Sequence, residues 1–190
     1  MSLYEILLFG HITTAILWVG AGVSLVVVAL LAERKDDDGG LRTSLDVANR
    51  LGNVYFLPIS ALVIVFGIGL VAESDAWSFS QLWIVLGLVG YALTFLTGLL
   101  VIKPRAERIG KLIEAARGEM TPEALFEGRK LLTLARIDYI VLLLVVLDMV
   151  VKPTGDDVAL LVVMAAILVA GVAYVLWRAR SLTPPAAATT

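Results

Sequence analysis

The residue with the most distinctive chemistry in this chain is His11, the only histidine among its 190 residues. It lies in the first apolar segment, where a polar side chain is costly and is by default a functional candidate. At about 100° per residue in a helix, Trp18 and Gly22 fall within roughly 20° of His11. One stripe of this helix therefore carries an imidazole, an indole and a position without a side chain, where a flat ligand has room to approach. Because imidazole binds metal ions and haem iron, the pattern predicts a pocket with His11 as ligand and with Trp18 and Gly22 in its wall.

The end of the fourth apolar segment carries a second group of candidate residues, Asp148, Met149 and Lys152. Asp148 precedes Lys152 by four residues, so the two side chains share a helix face and are predicted to form an ion pair. The first and fourth segments run in opposite directions, which brings His11 to a similar depth. The sequence thus predicts a two-helix site in which Asp148 and Lys152 hold an anionic group or relay protons. Arg136, near the other end of the fourth segment, is a further candidate for cofactor binding.

Cysteine and histidine counts narrow the metal chemistry. The absence of cysteine excludes thiolate zinc sites, iron–sulfur clusters and covalently attached c-type haem. A single histidine leaves His/Met, His/Lys or five-coordinate haem ligation, or a homodimer or membrane complex that shares ligands. Copper is the alternative metal, because Met149 and Met164 supply soft thioethers beside His11. A purely structural alternative stays open as well: His11 donates a hydrogen bond to a neighbouring helix, and Asp148 forms an interfacial ion pair with Lys152.

The elements that must position these groups are apolar helices. Hydrophobic residues make up 59% of the chain, and its mean hydropathy is +0.93. Five segments come close to the roughly 20 residues that cross a bilayer as a helix, at about 3–32, 54–72, 81–102, 134–151 and 157–177. Short alternating strands of the kind found in membrane barrels are absent. The sequence therefore predicts an all-α membrane bundle in the lipid bilayer, with one domain over 1–180 and a disordered tail over 181–190.

Basic residues predict the orientation of this bundle. Of the 15 Lys and Arg residues, four lie in the first loop, eight in the third and two in the tail, all on one side of a five-span topology. Only Lys152 falls on the opposite side. The positive-inside rule then places the N-terminus outside and the C-terminus in the cytoplasm, with the chain in the plasma membrane. The net charge of -2 argues against nucleic acid as a partner.

The loops carry three further predictions. The third loop, 103–133, is expected to be helical and cytoplasmic, with an amphipathic helix over 103–118 near the lipid surface. A second helix is predicted to begin at Thr121-Pro122, which is typical of an N-cap followed by a first-turn proline. Trp77 and Trp83, beside the second loop, are predicted to join an interfacial aromatic belt.

Small residues in the second and third apolar segments predict close helix contacts. Gly90, Thr94 and Gly98 recur every four residues in the third segment, and Gly67 and Gly69 lie in the second. Pro58, early in the second segment, removes one backbone hydrogen bond and is predicted to bend that helix locally.

Several motifs are similar to those of known bacterial membrane proteins. The chain resembles the HemJ-type membrane protoporphyrinogen oxidases in three places: His11 followed by Trp18-x-Gly20, Arg50-Leu51 leading to Pro58, and Arg136-x-Asp138 leading to Val150-Val151-Lys152-Pro153. The first of these motifs is also similar to the CopD copper-resistance membrane proteins. Over nearly its whole length, the chain most resembles an uncharacterised family of predicted bacterial integral membrane proteins built on the same plan.

The HemJ resemblance implies a four-helix core that binds haem b, an oxidoreductase activity, and essential roles for His11 and Lys152. The chain departs from the HemJ pattern in four ways. Residues 22–28 replace a Tyr-x-x-Arg stretch with apolar side chains, the Asn-Glu pair expected after Arg136 is missing, the third-span histidine is missing, and a fifth span is added. We therefore expect a haem-binding, redox-associated membrane protein. A non-enzymatic membrane subunit or scaffold and a copper-handling protein are the alternatives.

Overall fold

The computed structural model describes residues 1–35 and 37–184, and within them it contains helices and turns but no strand. The all-α prediction is therefore confirmed for the described part of the chain. The α-helices are α1 (Leu3–Arg34), α2 (Asp38–Leu51), α3 (Leu57–Ala72), α4 (Leu82–Thr97), α5 (Lys103–Ala115), α6 (Pro122–Val151) and α7 (Val158–Arg180). Most of the predicted disordered tail, residues 185–190, lies outside the described residues.

Local sequence sets where the two longest helices begin. Ser2 caps α1 through a capping box, in which its hydroxyl accepts from the Glu5 N–H and the Glu5 carboxylate accepts from the Ser2 N–H. The Thr121 hydroxyl accepts from the Ala124 N–H and caps α6, while Pro122 occupies the first turn. The predicted start of this helix at Thr121 and Pro122 is thus confirmed.

Two short π-helical segments join helices end to end. Gly52–Phe56 joins α2 to α3, and Gly98–Ile102 joins α4 to α5. Each glycine stands six residues before a proline, Pro58 or Pro104. A proline ring has no N–H and clashes with the carbonyl four residues back, so the helix widens ahead of it. The residue before each proline instead donates its N–H to the glycine carbonyl five positions back.

Within the described residues, four continuous helices are long and apolar enough to cross a membrane: Leu3–Arg34, Asp38–Ala72, Leu82–Ala115 and Val158–Arg180. The predicted fourth span, 134–151, is helical throughout as the second half of α6. It differs from the other four because Arg136, Asp138 and Asp148 all lie within it.

Small residues allow the helices to approach one another closely. Gly67 and Gly69 of α3 lie against His11 and Leu7 of α1, and Gly90 of α4 lies against Val145 of α6. The predicted use of these glycines in helix packing is confirmed, since a side chain at any of them would meet the neighbouring helix. Gly98 is different, because a side chain there would meet nothing within 4 Å.

The end of the bundle that carries α2 and α5, called here the α2/α5 end, has its own apolar cluster of buried residues, Ala32, Leu41, Leu45, Ile109 and Leu131. Ile109 of α5 is only 2% exposed, so the apolar face of this helix is covered by protein. The predicted placement of 103–118 at the lipid surface is wrong in this respect. The first loop, which was predicted only as a connection, forms the helix α2. The amphipathic helices α2 and α5 bury their apolar faces against each other.

The opposite end, called here the short-loop end, holds the connections 73–81 and 152–157. The turn between α6 and α7 is fixed by Asp157, whose carboxylate accepts from the Thr154 N–H at 2.7 Å and from the Thr154 hydroxyl at 2.9 Å. These hydrogen bonds lower the pKa of the Asp157 carboxyl, because they stabilise its charged form.

Candidate functional site

A cleft of about 880 Å³ lies at the short-loop end between α1, α3, α4 and α6. Its walls are mainly apolar and aromatic, as is usual for cofactor and ligand sites of this size. Four of the residues that the sequence analysis selected line it together: His11, Trp18, Met149 and Lys152. The cleft therefore brings together side chains of the first and fourth apolar segments.

The hydrogen bond made by His11 determines which ring nitrogen carries the proton. His11 Nδ1 lies 2.9 Å from the main-chain carbonyl oxygen of Val63 on α3. A carbonyl only accepts hydrogen bonds, so Nδ1 carries the proton and the neutral ring keeps a lone pair on Nε2. No hydrogen bond to Nε2 is present within residues 1–35 and 37–184. This is the state in which a histidine binds a metal ion, and a backbone carbonyl is a common orienting partner for such a ligand.

Gly67 makes this hydrogen bond geometrically accessible. A methyl group at Gly67 would lie 3.1 Å from Cε1 and 3.3 Å from Nδ1 of His11. The imidazole thus lies close to the backbone of α3 at Gly67, about one helical turn from Val63. Gly67 therefore has two effects. It allows α1 to pack closely against α3, as predicted from the sequence, and it leaves room for the His11 ring beside the Val63 carbonyl.

Trp18 and Gly22 have different environments from each other. Trp18 lines the cleft and contacts Tyr91 of α4 edge to face, with ring centroids 5.7 Å apart. Gly22 is buried, and the space above it is filled by the ring of Tyr139 on α6. The predicted opening for a flat ligand at Gly22 is therefore a helix contact, and Gly22 does not line the cleft.

Lys152 lies at the rim of the cleft, beneath two indole rings. α6 ends at Val151, and Lys152 takes a left-handed backbone conformation with φ 53° and ψ 59°. Its ammonium donates to the Met149 carbonyl at 3.1 Å. It also lies 5.7 Å and 5.5 Å from the ring centroids of Trp77 and Trp83. These distances are those of cation–π contacts, which hold the ammonium while leaving its charge available to an anion.

The predicted ion pair between Asp148 and Lys152 is wrong. Asp148 is 1% exposed, and neither of its carboxylate oxygens has a hydrogen-bond partner in the described part of the chain. The left-handed conformation of Lys152 removes it from the helical register that would bring the two side chains together. Asp148 instead faces α4, where one of its oxygens would lie 3.5 Å from a methyl group at Gly87.

Two other predicted residues lie outside the cleft. Arg136 forms an ion pair with Glu33 at 2.8 Å, at the α2/α5 end. Glu33 follows His11 by 22 positions on α1, so the two groups are ~33 Å apart along the helix axis and cannot share a small cofactor. Met164, the second thioether proposed for copper, is on α7 and does not line the cleft either.

The predicted structural alternative, in which His11 donates a hydrogen bond to a neighbouring helix, is confirmed, although the sequence does not show that the acceptor is the Val63 carbonyl. Trp77 and Trp83, which are predicted to join an interfacial belt, also lie against Lys152, a contact that the sequence does not predict. No group of three or more His, Cys, Asp or Glu side chains able to hold a metal ion occurs in the described residues. The cleft therefore offers one nitrogen ligand, one thioether and one cation among apolar and aromatic walls.

The family comparison matches the membrane character of this fold. A family model described as predicted integral membrane protein (DUF2269) matches residues 5–153, well over half of the chain. Searches of curated proteins and of solved structures give no match.

Proposed function

This chain belongs to the DUF2269 family of predicted integral membrane proteins, and on that premise we propose that it spans the plasma membrane five times. α6 supplies the additional span. Its 30 residues give a length of ~45 Å, well above the ~30 Å of a hydrocarbon core. The charged side chains of its second half are enclosed by protein: Arg136 pairs with Glu33 of α1, while Asp138 and Asp148 are buried in the bundle. Buried charges of this kind are tolerated in a spanning helix.

In this topology the short-loop end faces outward and the α2/α5 end faces the cytoplasm. The ion pair Arg129–Asp38, which joins α6 to α2 at the α2/α5 end, agrees with a charged cytoplasmic region. The positive-inside rule gives the same orientation. If α6 did not span, the loop that holds Asp156 would lie on the cytoplasmic side.

Single-cysteine labelling tests this topology cleanly, because the chain has no cysteine of its own. Asp156 and Glu119 are both exposed and lie in opposite loops. We expect an impermeant maleimide to label Asp156→Cys in intact cells and to label Glu119→Cys only after the membrane is permeabilised. Protection of Asp156→Cys in intact cells would contradict the five-span topology, and labelling of Glu119→Cys in intact cells would contradict the orientation.

We further propose that the cleft binds haem b through His11 and that the protein is redox-associated. The observation that carries this proposal is the hydrogen bond from His11 Nδ1 to the Val63 carbonyl, which leaves the Nε2 lone pair unused among the described residues in a side chain that lines the cleft. The donor set and the walls fit a flat, apolar group with anionic substituents. Bound haem would supply one-electron chemistry, as it does in other haem proteins.

The chain's own residues have separate roles in this proposal. His11 would hold the iron, and Trp18 would supply an aromatic wall. Lys152, whose ammonium is held by Trp77 and Trp83, would bind an anionic substituent. Met149 lines the same cleft, and its thioether would be a second residue able to hold the iron. The resemblance to HemJ-type oxidases at His11 and Lys152 supports the same assignment and makes a porphyrinogen a candidate substrate.

A visible absorption spectrum with metal quantification tests the cofactor directly. We expect detergent-purified protein, expressed with ample haem, to show a Soret band and up to one iron per chain. Copper without a Soret band would favour the copper-handling alternative, for which His11 and Met149 are the ligands in the cleft. Neither haem nor metal would contradict both cofactors and favour a non-enzymatic membrane subunit.

A further inference from the structure

A second cavity, of about 220 Å³, lies toward the α2/α5 end beside the two π-helical segments. It is referred to here as the inner cavity. Gly52 and Gly98, the first residues of those segments, are in its wall, and a side chain at either would meet nothing within 4 Å. Trp18 separates it from the outer cleft, because this residue lines both spaces. Gly52 and Gly98 have no role in the proposed cofactor site, whereas Trp18 belongs to both spaces.

Asp138 is the acidic group of the inner cavity. It lines the cavity and is 9% exposed. Among the described residues, its carboxylate has no hydrogen bond and no ion pair. Lys103 also lines the cavity, but no ion pair joins it to Asp138 within the part of the chain that the structure describes. A buried carboxylate without a partner is expensive, so a cationic ligand at this position would stabilise it.

The hydroxyl groups of the wall are also arranged as hydrogen-bond acceptors. The Ser60 hydroxyl donates to the Leu57 carbonyl at 3.0 Å, and the Thr94 hydroxyl donates to the Tyr91 carbonyl at 3.0 Å. Ser44 donates to a carbonyl of its own helix in the same way. Each hydroxyl has only one proton to donate, so a hydroxyl that bonds its own helix carbonyl can only accept from any further group. The Ser60 hydroxyl also contacts the Tyr91 side chain. Together with the Asp138 carboxylate, these oxygens favour a ligand that donates hydrogen bonds.

The remaining wall points to an organic cation and not to a bare metal ion. Trp18, Phe56, Phe95 and Tyr139 line the cavity, and aromatic faces attract cations. The absence of any cluster of three acidic or histidine ligands in the described residues argues against a divalent ion. At 220 Å³, the space is several times the ~30 Å³ share of one liquid water molecule.

We propose that the inner cavity binds a small organic ammonium ion, with its charge at Asp138 and its apolar part against the aromatic wall. The hydroxyl oxygens of Ser60 and Thr94 accept from its N–H groups. The wall includes both π-helical segments. The glycine that begins each segment and the proline that follows it therefore help to create the site. This assignment is independent of haem binding at His11.

Ligand-dependent thermal unfolding of the full chain in detergent tests the proposal. The probe is 2-phenylethylammonium chloride, and its neutral isostere 2-phenylethanol and sodium chloride are run alongside it. We expect the ammonium probe to raise the unfolding temperature in a saturable manner and the two comparison compounds not to do so. Equal stabilisation by 2-phenylethanol would show that the cavity binds apolar groups without regard to charge. Equal stabilisation by sodium chloride would show that it binds an inorganic ion. Either result overturns the proposal, as does the absence of any ammonium-specific shift.

Two variants and one control locate the binding. Asp138→Asn should weaken ammonium binding at least tenfold, and Gly98→Leu should do the same by filling the cavity while leaving Asp138 in place. The exposed carboxyl of Asp46 provides the control, since Asp46→Asn should bind like the unmodified chain. If Asp138→Asn fails to fold, Gly98→Leu still decides the question. Unchanged binding in Gly98→Leu overturns the proposal, and its haem content is expected to stay normal in either case.

Discussion

His11→Ala is expected to remove haem from the purified protein, with at least a roughly 100-fold loss of affinity. The substitution eliminates the only imidazole in the chain, and loss of even an orienting partner of a metal ligand commonly costs about 10- to 100-fold. It also removes the hydrogen bond to the Val63 carbonyl, which should cost the fold about 1 kcal/mol. Haem content per chain, together with the intensity of the Soret band, measures the first effect.

His11→Asn separates ligation from structure. The asparagine amide can donate a hydrogen bond from a position close to that of Nδ1, but it offers no nitrogen lone pair to iron. We expect this variant to regain much of the stability lost in His11→Ala and to remain without haem. Full haem content in either variant would show that His11 is not the ligand. Loss of haem in His11→Ala together with normal haem in His11→Asn would assign His11 a structural role only.

Gly22→Leu is expected to destabilise the bundle, whereas Gly20→Leu two residues away should not. A side chain at Gly22 would collide with the ring of Tyr139, but one at Gly20 would meet no atom within 4 Å. Overpacking of this kind typically costs 1–3 kcal/mol, about as much as a sizeable core substitution. A leucine that replaces a helical glycine without neighbouring atoms should instead leave the free energy of unfolding unchanged or raise it by up to about 1 kcal/mol. Unfolding of both variants in the same detergent gives the comparison.

The contact partner provides a second check on Gly22. If the collision with Tyr139 is the cause, Tyr139→Ala should be less harmful in the Gly22→Leu background than in the unmodified chain. Simple additivity of the two substitutions would indicate that the loss of stability has another origin. Equal stability of Gly22→Leu and Gly20→Leu would contradict the packing of α1 against α6 at this position.

Several features of the fold follow from local sequence alone. The apolar runs predict helices because a helix satisfies its own backbone within a lipid environment. Thr121 and Pro122 predict the start of α6, since capping depends on neighbouring residues only. Pro58 predicts a disturbance in its helix, although the π-helical form of that disturbance was not predicted. The glycines of α3 and α4 predict close helix contacts, and Gly98 shows that the same residue type can line a cavity instead.

The candidate site was also predictable in part from local sequence. The sequence identifies His11 as an unusual intramembrane residue and associates it with the end of α6 that holds Met149 and Lys152. It does not identify the Val63 carbonyl, because a main-chain acceptor has no signal in the sequence. The ion pair between Asp148 and Lys152 was predicted from helical spacing, which ceases to apply once Lys152 leaves the helix.

The sequence by itself determined that this protein is a set of apolar helices with a lone histidine, since composition and helical period are properties of single segments. The tertiary structure alone decided which neighbour covers each helix face. Tyr139 fills the space above Gly22, the Val63 carbonyl orients His11, and Asp138 lines an inner cavity without a partner. The helical period determines which residues share one face of a helix. The rotation and crossing angles of the helices determine which residues of other helices contact that face.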